Sequence, residues 1–299
     1  MAREILPNDI PEIKKLLNLA LQTEDYADIS RMGGLTNHTY KVTLKNGEEY
    51  VVRIPGEGTE ELICRKDEIV STKLACDLGV DAPVLYFGED GAKVTRYIKN
   101  AKTMSAKEIC KPLHIKQVAD IFKTMHSCKV DTKVPFEVFD IAEGYEKIVD
   151  EKKVPMFSDY SQIKSEVMRI KKEIDLAVKA EKVPCHNDPL CENWVEGDGR
   201  MYLIDWEYAG MNDGMWDLAD VSIEASFSKE SDRILLENYL GRTPDTNDMK
   251  HFLASKIYVD FLWTLWAKAR VPYDGQPMED WAAERYARLK NFIEEYNKI

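Results

Sequence analysis

Three residues in the second half of the chain stand at spacings that chemistry can use. Asp188 is followed five residues later by Asn193, and Asp205 comes twelve residues after that. Between the last two, Asn193-Trp194-Val195 and Met201-Tyr202-Leu203-Ile204 are short strand-like runs, with Glu-Gly-Asp-Gly-Arg at 196–200 as the turn. A two-residue loop at Asp198-Gly199 pairs Gly197 with Arg200 and sets Asn193 opposite Ile204. Asn193 and Asp205 then share the open end of one hairpin. A hard cation such as Mg²⁺ takes oxygen ligands, typically one or two carboxylates together with phosphate oxygens and water. Asn193 and Asp205 can supply such oxygens. Asp188, on the loop before the hairpin, is free to accept a proton from an attacking hydroxyl. Any one of the three could equally be a loop polar residue capping a turn. The joined spacing is what points to chemistry.

That spacing is the one used for phosphoryl transfer: His-x-Asp-x-x-x-x-Asn, then a metal-binding Asp after a strand. Here it reads His186-Asn187-Asp188-Pro189-Leu190-Cys191-Glu192-Asn193, then Ile204-Asp205-Trp206-Glu207. His186 is read as orienting the loop rather than reacting. Two upstream stretches fit the same chemistry. Gly33-Gly34-Leu35-Thr36-Asn37 is a small-residue turn between strands, where exposed N–H groups can cradle phosphate. A lone Gly-Gly is usually only a turn, and it gains weight from Arg53 on a following strand. Arg53 could be held by Glu68 in the next helix, as a kinase-type basic residue is.

The elements that must position these residues are legible from periodicity. Residues 9–22 read as an amphipathic helix opened by Asp9 and Pro11. Residues 40–44 and 49–54 read as strands joined by Asn46-Gly47, 59–78 as a helix ending at Gly79, and 84–87 and 93–98 as further strands. After a polar connector, residues 105–127, 141–152 and 158–181 read as helices, the last highly charged and solvated. Beyond the hairpin the patterns are all helical: 213–227, 229–240, 247–270 and 277–297. A strand-rich front and a helix-rich back make an α+β protein of two lobes, divided here as 1–98 and 99–299.

Composition bounds the function classes. The chain has 299 residues, 44% hydrophobic and 31% charged, as expected of a soluble globular protein that buries a core. The N-terminal stretch does not read as a signal peptide, and no apolar run reaches the ~18 residues of a membrane span, so no membrane insertion is expected. Six scattered cysteines without a Cys-x-x-Cys pair read as reduced thiols of a cytoplasmic protein. A net charge of −12 argues against nucleic-acid binding. The oligomeric state is left open.

Taken together, the motifs resemble the protein-kinase-like phosphotransferases of small molecules, the superfamily of choline kinases and aminoglycoside phosphotransferases. The chain looks most like the bacterial LicA-type choline kinases, from Gly33 through Trp266. The resemblance implies a bilobal protein-kinase-like fold. Its small β-rich N-terminal lobe would bind nucleotide, and its larger, mostly helical C-terminal lobe would carry the catalytic loop and substrate pocket. It implies ATP and Mg²⁺ as cofactors. Gly33, Gly34, Thr36 and Asn37 would form the phosphate loop, and Arg53, paired with Glu68, would replace the kinase lysine. Arg96, Tyr97 and Ile98 would form the linker touching adenine. Asp188 becomes the base, and Asn193 and Asp205 the metal ligands. Trp206-Glu207 stands where protein kinases have Phe-Gly, and Asp217 follows quickly with no activation segment, which argues against a protein substrate.

Choline carries a quaternary ammonium, which makes no ordinary hydrogen bonds and is held by aromatic faces and nearby carboxylates. Trp263 and Trp266 are three apart on one helix and share a face. From the residues alone such a helix reads as core. The resemblance makes the two tryptophans, with Tyr208, the lining of a choline pocket. Glu207, Asp217, Asp220 and Glu224 add negative charge nearby in sequence, with Glu207 and Glu224 set beside Asp188 as substrate-binding residues. The expected activity is ATP-dependent phosphorylation of the choline hydroxyl. Ethanolamine, another amino alcohol or an aminoglycoside is the alternative acceptor. An inactive kinase-like binding module is the reading from a different class.

Overall fold

Alternating burial builds the first sheet. The computed structural model describes residues 5–32, 37–56 and 64–299. Strands β1 (Tyr26–Arg31), β2 (Asn37–Leu44) and β3 (Glu49–Pro55) form an antiparallel meander. Helix α2 (Arg65–Asp77) follows, then β4 (Val84–Phe87) and β5 (Lys93–Arg96), giving the sheet order β1-β2-β3-β5-β4. Tyr40, Val42, Tyr50, Val52 and Val94 point to one face. Helix α1 (Asp9–Leu21) covers that face with Ile13, Leu16 and Leu17, the stripe its periodicity predicted. Asp9 also accepts a hydrogen bond from the Tyr40 hydroxyl at 2.5 Å.

The chain separates into two compact units, residues 1–105 with 192–209, and 106–191 with 210–299. The hairpin belongs to the first unit because its strand β8 (Trp194–Gly197) pairs both with β6 (Lys102–Thr103) and with β9 (Arg200–Leu203).

The second unit is mostly helical: α3 (Ala106–Ile109), α4 (Pro112–His126), α5 (Val138–Glu151), α6 (Tyr160–Ala177), α7 (Gly214–Glu224), α8 (Lys229–Leu240), α9 (Thr246–Asp274) and α10 (Gln276–Tyr296). Helix α9 packs against α5, α6, α7 and α10. It starts at a capping box between Asp245 and Asp248.

Three expectations need correcting. The single helix expected over 105–127 is two, because Pro112 lacks an N–H and opens a new helix at its first position. Helix α6 is not wholly solvated, since Val167, Ile170 and Ile174 form a buried stripe among its charges. The region after the hairpin is not all helical, because β10 (Gly210–Asp213) pairs antiparallel with β7 (Lys182–Cys185). Four-residue strands holding Pro184 and Gly210 carry almost no periodic signal. Among the described residues, no helix is long and apolar enough to cross a membrane.

Candidate active site

In the first unit the site is built on the hairpin and β3. The hairpin has the expected register: Gly197 pairs with Arg200, and the Ile204 N–H donates to the Asn193 carbonyl at 2.9 Å. Asp198 and Gly199 both have positive φ, as a tight two-residue loop requires. Asp205, just past the hairpin, is itself left-handed at φ 71, a conformation Asp tolerates better than most residues and one that clusters at functional sites.

Arg53 projects from β3 into a dense charge cluster. Its Nη2 lies 2.6 Å from Glu68 Oε1, and its Nη1 lies 3.4 Å from Asp205 Oδ1. Arg53 also donates to the Gly91 carbonyl. Glu68 is fully buried on α2, where Arg65 takes its other oxygen at 2.7 Å and Lys93 approaches to 4.0 Å. Burial and the Arg53 charge hold the Lys93 ammonium below the ordinary lysine range. Glu207 faces Arg65 at 3.7 Å, and burial, with the Asp205 and Glu68 charges, raises its carboxyl to about 7. Burial likewise raises Asp81 to about 6, against the Lys93 charge.

Asn37 is buried at the start of β2. Gly33, Gly34 and Thr36 lie outside the described residues. Arg96, Tyr97 and Ile98 line a cavity of about 470 Å³ together with Glu48, Lys99 and Arg200. The half-buried Tyr208 lies in the first unit.

In the second unit the catalytic-type loop is held by a residue the sequence reading had used only as a sign of missing activation segment and as nearby negative charge. Asp217, buried on α7, accepts hydrogen bonds from the His186 and Asn187 N–H groups, each at 2.8 Å. His126 bonds the same carboxylate at 3.1 Å. The Trp216 indole donates to the Asn187 carbonyl, and Asn212 donates to the Asn187 side chain. Asn187 is fully buried with φ 67, so the loop is fixed in a bent form. His186 Nδ1 accepts from the Asp188 N–H at 3.3 Å, the orienting part expected of it. Asp188 is half-buried between buried neighbours. The signal for Asp217 was its place at the start of a helix rich in apolar residues, where a charge must have partners.

On α9, Trp263 and Trp266 meet edge to face with centroids 6.1 Å apart. Trp266 also meets Trp281 of α10 at 5.7 Å. Trp281, with Arg285 stacked on it at 4.1 Å, was not singled out from sequence. Trp263 is buried, Trp266 is half-buried, and the Trp266 indole N–H has no hydrogen-bond partner among the described residues. Glu224, at the end of α7, is bonded by Arg285.

The family described as choline/ethanolamine kinase matches residues 29–297. The chain belongs to the choline/ethanolamine kinase family. Protein LicA of Haemophilus influenzae is 30% identical over 279 residues, covering 89% of this chain and 80% of that protein. The crystal structure of choline kinase LicA from Streptococcus pneumoniae is 31% identical, covers 96% of this chain and 99% of its own, and has a TM-score of 0.81. A choline/ethanolamine kinase family protein from Mesorhizobium loti gives a TM-score of 0.85 at 30% identity, covering 96% of both chains. The α+β class expected from the sequence, a small sheet-bearing N-terminal part and a larger helical C-terminal part, is the fold these likenesses share.

Proposed function

We propose that the protein is an ATP-dependent choline kinase. The observation that carries this reading is a family match across nearly the whole chain in which Asp188, Asn193 and Asp205 all stand at phosphoryl-transfer spacing. The choline hydroxyl oxygen bonds to the γ-phosphorus, the bond from that phosphorus to the β,γ-bridging oxygen breaks, and ADP leaves. The Asp188 carboxylate takes the hydroxyl proton. Arg53, locked by Glu68, presents a fixed positive charge to the nucleotide phosphates, so no reorganisation is needed as charge shifts.

The donor set suits Mg²⁺. Asn193 and Asp205 offer hard oxygen ligands, and the Asp205 carboxylate is 39% exposed, with a long contact to Arg53 at 3.4 Å. When bound, the ion neutralises phosphate charge. The tryptophan pair on α9 supports a quaternary ammonium as the acceptor's cationic end, as does likeness to a LicA named a choline kinase.

An assay that follows ADP with choline, ethanolamine and an aminoglycoside tests the reading. Choline should give the highest kcat/KM. Turnover only with the aminoglycoside, or no acceptor-dependent turnover, would overturn it.

A further inference from the structure

Helix α7 carries three carboxyls on one face. Asp217, Asp220 and Glu224 are spaced by three and four residues, so they stack along one stripe. The stripe faces the catalytic-type loop, because Asp217 takes the His186 and Asn187 N–H groups. Asp217 is answered by those donors and by His126, and Glu224 is answered by Arg285. Asp220 is different. It is fully buried, and both of its carboxylate oxygens lack a hydrogen-bond partner among the described residues.

The charges around it make matters worse. Glu224, Asp188 and Asp217 repel an ionised Asp220, while Arg285, and Arg288 beyond it, favour it. Arg285 is already shared by Glu224 and by Asp260 of α9, which also holds Arg288. Farther round α7, Cys185 of β7 and His126 of α4 lie beside Asp217. Burial first, then these carboxylates, lift Asp220 well above the usual carboxyl range, the direction that favours its protonated form. A buried carboxyl left unanswered by its own protein is a place where a ligand's charge is missing.

We propose that Asp220 is the counter-ion that selects a cationic acceptor, releasing its proton as the ammonium of the alcohol substrate binds. The inference rests on the kinase reading for its ligand and goes beyond it in naming the discriminating residue. The O–H bond of the Asp220 carboxyl breaks, the proton passes to solvent, and the carboxylate left behind balances the incoming positive charge. A neutral acceptor of the same shape brings no charge and leaves the proton in place.

The test is titration calorimetry of choline, and of its neutral carbon isostere dimethylbutanol, in buffers of different ionisation enthalpy near neutral pH. Wild type should release about one proton per choline bound and none with the isostere. Asp220→Asn imitates the protonated carboxyl. It should release none and bind choline about tenfold more weakly or worse, with unchanged affinity for the isostere and for ATP. Equal proton counts for choline and isostere in wild type would overturn the proposal, even if the variant failed to fold. So would a folded Asp220→Asn with wild-type choline affinity. Choline turnover is scored separately. If only ethanolamine is phosphorylated, the choline reading fails while Asp220 is judged by the same proton count on ethanolamine. Binding of neither cation overturns both.

Discussion

Glu68 in the first unit and Asp220 in the second are both buried carboxyls, and their surroundings are opposite. Glu68 is met by Arg53 at 2.6 Å, by Arg65 at 2.7 Å and by Lys93 at 4.0 Å. Asp220 has no hydrogen-bond donor among the described residues and three carboxylates around it. A nucleotide brings negative charge, and a site for it needs cations fixed in advance by a buried anion. An ammonium brings positive charge, and a site for it needs negative charge that its own protein has not neutralised. The two surroundings are complementary to the two ends of the proposed reaction.

The largest expected effect lies on Asp188, one of the carboxylates around Asp220. Asp188→Ala should keep the fold and ATP affinity and lower kcat by about 10²–10⁴, the range of a positioned general base. Steady-state kinetics on the purified variant check this, and near-normal kcat would remove Asp188 from the mechanism. Breaking the compensated cluster should instead cost stability. Glu68→Gln leaves Arg53, Arg65 and Lys93 crowded and buried without their anion. Removing one partner of such a group costs about 3–5 kcal/mol. Urea unfolding measures it, and a loss under about 1 kcal/mol would mean the cluster relaxes or hydrates.

Much of this was legible in the sequence. Asp198-Gly199 determined the hairpin register, and the kinase-type pattern paired Arg53 with Glu68 of the next helix. What escaped depends on long-range pairing. Strands β7 and β10 are four residues each and gain their identity from each other, twenty-five residues apart at the pair Gly210 and Cys185. Asp217 was visible as a charge, but its part in holding the loop needs two backbone N–H groups whose direction no spacing reveals. Asp220 was visible only as one of several acidic residues, because what marks it is a missing partner. The tryptophan helix was readable either as core or as a binding face. The structure gives it both characters, since Trp263 is buried and Trp266 is half-buried.

Smaller effects sharpen the comparison further. If Trp266 holds the acceptor's ammonium, Trp266→Ala should raise KM for choline roughly tenfold and leave KM for ATP nearly unchanged. The variant must first be shown folded, because it also loses packing against Trp263 and Trp281. An unaltered choline KM would return the helix to a purely structural role. The smallest effect concerns stability against pH. The folded-state value of Asp220 lies above its unfolded value, so the unfolded chain loses that proton first as pH rises. Its contribution to stability is therefore intact below the unfolded carboxyl range and is lost as pH climbs from there toward the folded value. Asp220→Asn removes that loss and should be at least as stable as wild type near neutral pH. Thermal unfolding across a pH series checks it, and a variant that loses stability more steeply with pH would contradict the sign.

The central claim is that this chain moves the γ-phosphoryl group of ATP onto the hydroxyl of choline. Phosphorus NMR of the purified protein with ATP, Mg²⁺ and choline tests it most directly. The account predicts a phosphomonoester resonance of phosphocholine growing in step with ADP, present only when choline is supplied. Growth of inorganic phosphate with ADP, and no phosphomonoester, would contradict it.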